Sequence, residues 1–335
     1  MSVLQHAPSP ELAARVRAIA ARMRYDIVEM ISEAGSGHPG GSLSAADIVA
    51  TLYFGVMRHD PSDPDWPERD RFVLSKGHAA PVLYAALAEA GYFGREHLAT
   101  LRKLGSMLQG HPDSKKTPGV EVSTGSLGQG LSVACGIALG LLGGEQSRAD
   151  EVGRLAVQGQ AETGDGGRRT VYCLLGDGEL QEGQVWEAAM FAAHHGLDNL
   201  VAIVDQNGLQ IDGACADVMC LGEIAEKFSA FDWAVRSCDG HDVEGLLHCF
   251  QWAKQVNAER SMPAVIVANT IKGRGVSFME GLAGWHGKAP SPEQTVQALA
   301  ELAASIEELE ATARSHAAPD SATGATAMQE EAPRG

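Results

Sequence analysis

Two apolar runs, Val171–Leu175 and Leu200–Val204, constrain the fold most strongly because neither alternates with polar residues. A strand that is apolar at every position must be covered on both faces, as in a parallel sheet flanked by helices. The first run is followed by Gly176-Asp177-Gly178 and the second by Asp205-Gln206-Asn207. Open α/β sheets bind ligands at the carboxyl ends of their strands. The sequence therefore predicts a doubly wound, mostly parallel α/β sheet with a ligand site at these two strand ends.

The polar residues at these strand ends suit a hard cation such as Mg²⁺. The glycines beside Asp177 let the backbone turn sharply and approach a ligand closely, and the Asn207 amide oxygen could share the same cation. Phosphate oxygens and water usually complete such a coordination shell. An isolated Gly-Asp-Gly can also be an ordinary tight turn. A nucleotide site fits less well, because no Gly-x-Gly-x-x-Gly opens a helix after a first strand.

The rest of the chain alternates helical and strand patterns, which supports the same fold class. The spacing predicts helices over 11–33, 44–57, 81–91, 131–142, 186–195, 242–258 and 291–314. Strands are expected at 71–74, 171–175, 200–204, 234–236 and 264–269. We expect one diphosphate-binding domain over 11–314, a flexible start over 1–10 and a disordered tail over 315–335, which lacks apolar mass. Residues 143–169 read as a helical excursion with a flexible end at 162–169.

Charge and cysteine usage exclude several classes of protein. The net charge of −17, without a long basic run, argues against nucleic acid or an anionic membrane as a partner. The six cysteines are scattered singly, so neither a zinc framework nor a disulfide framework is indicated. The first residues lack the pattern of a signal peptide, and no apolar run approaches membrane-spanning length. We therefore expect a cytoplasmic protein.

Four histidines lie in glycine-flanked loops at the ends of predicted strands or helices: His38, His78, His111 and His286. A single histidine in such a loop is commonly a structural hydrogen-bonding residue. Zinc ligation is a competing use, but the four lack close paired spacing and have no cysteine companions. The sequence motifs around these histidines are therefore needed to assign them a function.

Together with the metal-diphosphate pattern, these loops resemble the N-terminal half of transketolase, an enzyme that uses thiamine diphosphate (TPP). The resemblance runs from about Tyr25 to Pro290. It rests on five strings, Ser36–Gly40, Leu74–His78, Pro118–Gly130, Leu175–Gly183 and Asp205–Gly213. It implies a TPP diphosphate-binding domain that takes part in carbohydrate metabolism, as in the pentose phosphate pathway.

The resemblance assigns cofactor contacts to the matching positions. A divalent cation, Mg²⁺ or Ca²⁺, would be held by three oxygen ligands, from Asp177, Asn207 and the backbone carbonyl of Leu209. The diphosphate would contact Gly178, His78 and His286. The thiazolium and aminopyrimidine rings would lie against Gly125, Leu127 and Ile211.

The resemblance also implies roles in proton transfer. His38 and His286 would lie near the substrate C3 hydroxyl and take its proton as the carbon–carbon bond breaks, while His111 would bind the C1 hydroxyl. Imidazoles that titrate near neutral pH suit this task. Glu182 would belong to a network that links paired TPP sites. A structural role for Glu182, as a carboxylate at a helix N-terminus, is equally compatible with the sequence.

In transketolases of this type, a pyrimidine-binding domain and a C-terminal domain follow, and the glutamate that activates TPP lies in the former. The resemblance therefore implies the N-terminal subunit of a split transketolase, which forms an α₂β₂ assembly and is active only with a separate C-terminal subunit. It would transfer a two-carbon ketol unit from a ketose phosphate to an aldose phosphate. A sulfonated or branched sugar is an alternative substrate, and a non-catalytic TPP-binding scaffold is an alternative of another class. A 1-deoxyxylulose-5-phosphate synthase fits less well, because Trp285-His286-Gly287 is transketolase-like.

Overall fold

Five parallel strands form the central sheet in the computed structural model, which describes residues 8–157 and 168–317. The strands are β1 Arg71–Leu74, β2 Val171–Gly176, β3 Leu200–Gln206, β6 Ala234–Asp239 and β7 Ala264–Asn269. Their order across the sheet is β1-β2-β3-β7-β6, and every neighbouring pair is parallel. A small antiparallel hairpin, β4 Leu209–Gln210 with β5 Gly213–Ala214, follows β3. The predicted fold class is confirmed.

Helices cover both faces of this sheet. They are α1 Pro10–Ala34, α2 Pro39–Ser44, α3 Ala46–Thr51, α4 Ala80–Ala90, α5 Gln129–Val157, α6 Gly183–His194, α7 Cys215–Val218, α8 Ile224–Ala230, α9 Val243–Arg260 and α10 Pro292–Ala317. Residues of α1, α3, α4 and α9 pack on one face, and residues of α5, α6 and α8 pack on the other. Among the described helices, none is both long and apolar enough to span a membrane.

The packing of the interior strand β2 explains why its sequence is apolar from Val171 to Leu175. Tyr172 and Leu174 point into the core under α1, α4 and α9, whereas Cys173 and Leu175 point into the core under α5 and α6. All four side chains are fully buried. Successive strand residues face opposite sides, so a strand covered twice has no position left for a polar side chain.

The region predicted as one helix over 44–57 differs in the structure. Helix α2 begins earlier, at Pro39, and α3 continues as a π-helical turn over Leu52–Val56. Ala45 separates the two helices with ψ near −4°, and the hydroxyl of Ser44 donates to Asp205 of β3 across 2.6 Å. The break therefore follows from a tertiary contact that helical spacing does not encode.

Two further elements carry too little periodic signal to be predicted. Helix α8 has seven residues, and its buried apolar side chains, Ile224 and Phe228, make a single i, i+4 pair. The β4–β5 hairpin has two residues in each strand. Short elements of this kind are stabilised by their packing more than by their own propensity.

The chain ends and the excursion are described only in part. Helix α5 continues through Val157, and the rest of the predicted excursion up to residue 167 lies outside the described residues. The first seven residues of the predicted flexible start also lie outside them, while Ser9 caps α1. Helix α10 extends to Ala317, and positions 318–335 of the predicted tail lie outside the described residues.

Helix α5 approaches the end of β1 so closely that Gly130 has no room for a side chain. A methyl group there would lie 2.4 Å from Ser75 Oγ and 2.6 Å from Ser75 Cα. We expect Gly130→Ala to lower the free energy of unfolding by about 1–3 kcal/mol, as overpacking does. Urea unfolding measures the change.

Gly136, on the same helix, is the matched control because nothing lies within 4 Å of a methyl group built there. Gly136→Ala should stabilise the chain by about 0.5–1 kcal/mol through helix propensity. Equal effects of the two substitutions would contradict the close contact between α5 and β1.

Candidate active site

The carboxyl ends of four neighbouring strands bring the chemically active side chains to one edge of the sheet. Lys76 follows β1, Asp177 follows β2, Asn207 follows β3 and Lys272 follows β7. A cavity at this edge is lined by Gly41, Lys76, His78, Leu127, Gly176, Asp177, Gly178, Glu179, Asn207, Leu209, Gln210, Ile211, Lys272 and His286. Parallel strands make this convergence unavoidable, since all their carboxyl ends point the same way.

The three predicted metal ligands lie within one connected loop system. Asp177 is buried and accepts hydrogen bonds from the backbone N–H groups of Gly178 at 2.8 Å and Gly208 at 2.5 Å. The amide oxygen of Asn207 accepts from the N–H of Leu209 at 3.1 Å. Burial and the nearby Asp205 charge raise the pKa of Asp177, so a cation at this position would stabilise its charged form.

The ligand set available here consists of oxygens. Within residues 8–157 and 168–317, no group of three or more His, Cys, Asp or Glu side chains is arranged to hold a metal ion. A cation at this edge would therefore rely on the Asn207 amide and Leu209 carbonyl oxygens beside the Asp177 carboxylate. Such a set suits Mg²⁺ or Ca²⁺.

A buried ion pair between Lys76 and Asp205 lies beneath the cavity. Lys76 is 1% exposed and Asp205 0% exposed, and the ammonium contacts the carboxylate directly. The Lys76 ammonium also donates to the Gly41 carbonyl at 2.8 Å, and Asp205 accepts from the hydroxyls of Ser44 and Thr270. Burial would raise the pKa of Asp205, but the charge and hydrogen bond of Lys76 hold it below its ordinary value. Sequence reasoning had assigned neither residue a role.

Glu179 connects the glycine-rich loops around the cavity. Its buried carboxylate accepts from the backbone N–H of Gly128 at 2.9 Å and of Gly176 at 3.0 Å, and from the hydroxyl of Ser75. Three loops that are far apart in sequence are thereby held together. The sequence prediction also missed this residue, although a carboxylate between a glycine turn and a helix start was a usable signal.

Three of the four predicted histidines converge into one cluster. The ring centroids lie 5.3 Å apart for His38 and His78, 5.5 Å for His38 and His286, and 5.0 Å for His78 and His286. Burial, with the Arg102 charge, lowers the pKa of His38 to about 4. Burial, with the Lys272 charge, lowers the pKa of His286 to about 4. Both rings are therefore neutral near pH 7 and able to accept a proton.

His111 lies beside this cluster and outside the set of residues that line the cavity. A methyl group built on Gly125 would lie 3.1 Å from the His111 ring. Burial and the Arg102 charge lower the pKa of His111, and the His111 charge in turn lowers the pKa of His38. The two rings therefore belong to one electrostatic environment.

The predicted ring-contacting residues form an open apolar wall. Leu127 and Ile211 both line the cavity, yet they are 37% and 68% exposed. Gly125 does not line the cavity but lies against the loop that carries His78, since a methyl group on Gly77 would lie 2.6 Å from the Gly125 nitrogen. The apolar wall thus faces solvent in the isolated chain.

Glu182 is exposed at the start of α6, where its side chain makes no capping hydrogen bond. It is not among the residues that line the cavity. A methyl group on Gly128 would lie 2.6 Å from Glu182 Cβ, so Glu182 adjoins the loop that carries Leu127. This position is compatible with both roles considered from the sequence.

Lys272 is a further residue that sequence reasoning missed. Its ammonium donates to the Leu209 carbonyl and contacts His286 Nδ1, both at 3.0 Å. Burial, with the Lys76 charge, lowers the pKa of Lys272 to about 8. Its neighbourhood could accept an anion, because Lys76 and Lys272 both line the cavity.

The chemistry of the donors fits a metal-bound diphosphate attached to an apolar ring system. The residues that line the cavity include oxygen donors and two lysines, together with the apolar side chains of Leu127 and Ile211. Within the described residues, His38 Nδ1 and Gln210 Nε2 are buried without a hydrogen-bond partner. Such atoms are costly unless a ligand or water satisfies them.

Comparisons with known proteins agree with this chemistry. The family model "Transketolase, thiamine diphosphate binding domain" matches residues 15–308. The chain is 45% identical over 275 residues to the 6-deoxy-6-sulfo-D-fructose transketolase subunit SqwG of Clostridium sp. (strain MSTE9), covering 82% of this chain and 91% of that protein. It is 41% identical over 292 residues to a subunit of the apulose-4-phosphate transketolase of Actinobacillus succinogenes, covering 87% of this chain and 96% of that protein.

A solved structure gives the same result at the level of the fold. Transketolase from Campylobacter jejuni superimposes with a TM-score of 0.74 at 30% identity, covering 90% of this chain. The match takes in 48% of the Campylobacter chain, so this chain spans about half the length of that transketolase.

The buried ion pair generates a stability prediction. Lys76→Met leaves the Asp205 carboxylate buried without its cation, so we expect a loss of about 3–5 kcal/mol in the free energy of unfolding. Adding Asp205→Asn removes the uncompensated charge and should recover part of that loss. Urea unfolding of both variants tests this, and a double variant that is no more stable than Lys76→Met would contradict it.

The lowered pKa of His38 generates a pH prediction. In the unfolded chain, the His38 imidazole takes up a proton at its ordinary pKa of 6.5. In the folded chain, the pKa of the same group is about 4. Stability that is present above pH 6.5 is therefore lost as the pH falls toward the folded pKa. Between pH 7 and pH 5, the unmodified chain should lose about 1 kcal/mol more than His38→Gln, after allowance for solvent screening.

Urea unfolding at the two pH values measures this difference. The comparison with His38→Gln cancels the contributions of the carboxylates, which both proteins share. An equal loss of stability in the two proteins would show that His38 is not held neutral by its surroundings.

Proposed function

Because this chain belongs to the transketolase family and is a thiamine diphosphate-binding domain of the transketolase type, we propose that it is one subunit of a two-chain transketolase. With a separate C-terminal subunit, it transfers a two-carbon ketol unit from a ketose phosphate to an aldose phosphate. The observation that carries this proposal is the cluster of His38, His78 and His286, because His78 and His286 line the same cavity as the Asp177 carboxylate.

The polar residues of the cavity would hold the metal and the diphosphate. The cation, Mg²⁺ or Ca²⁺, would be bound by Asp177, Asn207 and the carbonyl oxygen of Leu209. The diphosphate would lie against Gly178, His78, His286 and Lys272. Fixed N–H groups and lysine charges stabilise such an anion without help from the net charge of the protein.

The apolar wall would hold the rings of the cofactor. Leu127 and Ile211 have the exposed apolar surface that this requires, and Gly125 keeps the loop close to the histidines. When bound, thiamine diphosphate supplies a nucleophilic carbon and an electron sink for breaking a carbon–carbon bond.

The residues of the chain would move the protons. His38 and His286 are neutral near pH 7 because burial lowers the pKa of each to about 4. Either ring could accept the proton of the substrate C3 hydroxyl as the bond breaks and return it when the acceptor aldehyde is attacked. His111 would bind the C1 hydroxyl.

The need for a partner is supported by the cavity itself. This chain encloses about 90 Å³ there, whereas sites that bury a small ligand typically enclose about 300–1,000 Å³. Helices α5 and α6, which start beside the cavity, expose apolar side chains that include Val133, Met190 and Phe191. A partner with a pyrimidine-binding domain would cover the open wall, in an α₂β₂ assembly in which Glu182 links paired sites.

The identity of the donor sugar has two candidates. Two of the relatives are named for 6-deoxy-6-sulfo-D-fructose and apulose-4-phosphate, so a sulfonated or branched ketose is the alternative substrate. Assays of ketol transfer with one donor of each class and a common aldose phosphate acceptor distinguish the candidates.

The main test mixes the full chain with its C-terminal partner and measures ketol transfer in the presence of TPP and Mg²⁺. Activity should require both chains, because the site is only half enclosed by this one. Robust transfer by this chain alone would contradict the two-chain proposal. TPP binding without transfer to any donor would favour the scaffold alternative.

Replacing the Asp177 carboxylate tests the proposed metal site. Asp177→Asn should weaken TPP binding in the presence of Mg²⁺ by about 100-fold, because a charged ligand of the cation is lost. Isothermal titration calorimetry of the assembled complex measures this affinity, and the ketol transfer rate should fall with it.

Asp232→Asn is the matched control, since Asp232 is an exposed aspartate in a left-handed conformation (φ 60°) that asparagine also tolerates. It should bind TPP as the unmodified chain does. Undiminished binding by Asp177→Asn would overturn the proposed metal site.

A further inference from the structure

A chain of hydrogen bonds outside the proposed active site ends on the segment that carries Lys272. It begins at Arg24 in α1, passes through Asp47 in α3 and His241 in the loop before α9, and reaches the backbone of Ile271 just after β7. Neither the sequence patterns nor the proposed function uses any of the first three residues. They come from three parts of the chain that are far apart in sequence.

The distances define a continuous path of buried side chains that ends on the exposed residue Ile271. The Arg24 guanidinium donates twice to Asp47, at 3.1 and 2.5 Å. His241 Nδ1 lies 2.7 Å from Oδ2 of the same carboxylate, and the backbone N–H of Ile271 donates to His241 Nε2 at 2.8 Å. The side chains of Arg24, Asp47 and His241 are each about nine-tenths buried.

This pattern fixes the protonation of the imidazole. A backbone N–H can only donate, so His241 Nε2 must be the acceptor and the ring proton must lie on Nδ1. The Nδ1–H group then donates a hydrogen bond to Asp47. Burial would raise the pKa of Asp47, but Arg24 and His241 lower it to about 2, so the carboxylate is charged and the orientation of the ring is fixed.

The segment held in this way leads directly into the cavity. Lys272 follows Ile271, and its ammonium reaches the Leu209 carbonyl and His286 Nδ1, each at 3.0 Å. On the other side, the N–H of Gly273 donates to the Gly40 carbonyl at 3.0 Å, beside the loop of His38. His241 and Gly40 thus restrain the backbone on both sides of Lys272.

We propose that His241 is a positioning residue for the cofactor site, which acts by accepting the Ile271 N–H and so keeps the Lys272 ammonium directed at the diphosphate. The identity of the ligand rests on the proposed function, whereas the restraint on the backbone does not. Asp47 and Arg24 act behind His241 by fixing its tautomer and ring orientation.

Two substitutions at the same position separate the two hydrogen bonds of His241. His241→Asn keeps a donor near Nδ1 for Asp47 but cannot reach Ile271. His241→Gln places an acceptor near Nε2 for Ile271 but gives up the bond to Asp47. If the residue only stabilised the fold, the two variants would behave alike.

The first measurement is amide hydrogen exchange of the full chain without ligand, followed in peptides that cover 270–273. In His241→Asn, exchange at Ile271 should become about tenfold faster, the effect of losing roughly one hydrogen bond. In His241→Gln it should remain close to that of the unmodified chain. Equal exchange in all three proteins, or equal acceleration in both variants, would overturn the inference.

The second measurement is TPP affinity of the assembled complex in the presence of Mg²⁺. His241→Asn should weaken binding by about three- to tenfold, and His241→Gln should largely retain it. In a Lys272→Met background, His241→Asn should have no further effect, because the ammonium that it positions is already gone. Additive effects would overturn the link through Lys272.

Hydrogen exchange tests the restraint by His241 independently of TPP binding, on which the proposed function depends. If the unmodified assembly failed to bind TPP, the proposed function would fail, and the exchange comparison would still decide whether His241 restrains the Lys272 segment.

Discussion

The ion pair of Lys76 and Asp205 is the interaction on which the arrangement of the site depends. Both side chains are almost fully buried, and the pair also contacts α2 through Gly41 and the end of β7 through Thr270. His78 and Asn207 each lie two residues beyond a member of the pair. A buried charge without its partner is unstable. The arrangement that satisfies both charges here also brings the loops of the site together.

The same edge of the sheet shows how a chain with a net charge of −17 can provide for an anionic cofactor. Electrostatic effects of exposed charges fade over about 8–10 Å at physiological ionic strength, so the local groups decide. Lys76 and Lys272 face the cavity, and the oxygens of Asp177, Asn207 and Leu209 could hold a cation. Burial and neighbouring positive charges keep His38 and His286 neutral near pH 7.

Two further hydrogen-bond networks support the loops of the site. Glu179 holds the glycine loops together through hydrogen bonds to their backbone N–H groups. The hydrogen bonds that run from Arg24 to His241 end on the segment that carries Lys272. Both arrangements contain a buried carboxylate that accepts hydrogen bonds, and bonds to a charged group are stronger than neutral ones. By contrast, Leu127 and Ile211 remain partly exposed, so the apolar side of the pocket is the side that a partner surface can complete.

The sequence alone determined the parallel sheet, because Val171–Leu175 and Leu200–Val204 are apolar at every position and only a doubly covered strand allows that. It also singled out Asp177, Asn207 and the histidine loops as candidates, since glycines and polar residues at strand ends are local signals. The contacts of Lys76, Asp205, Glu179 and His241 became clear only from the tertiary structure. Each acts through partners that are tens to hundreds of residues away, and no local pattern specifies which distant group a buried charge will meet.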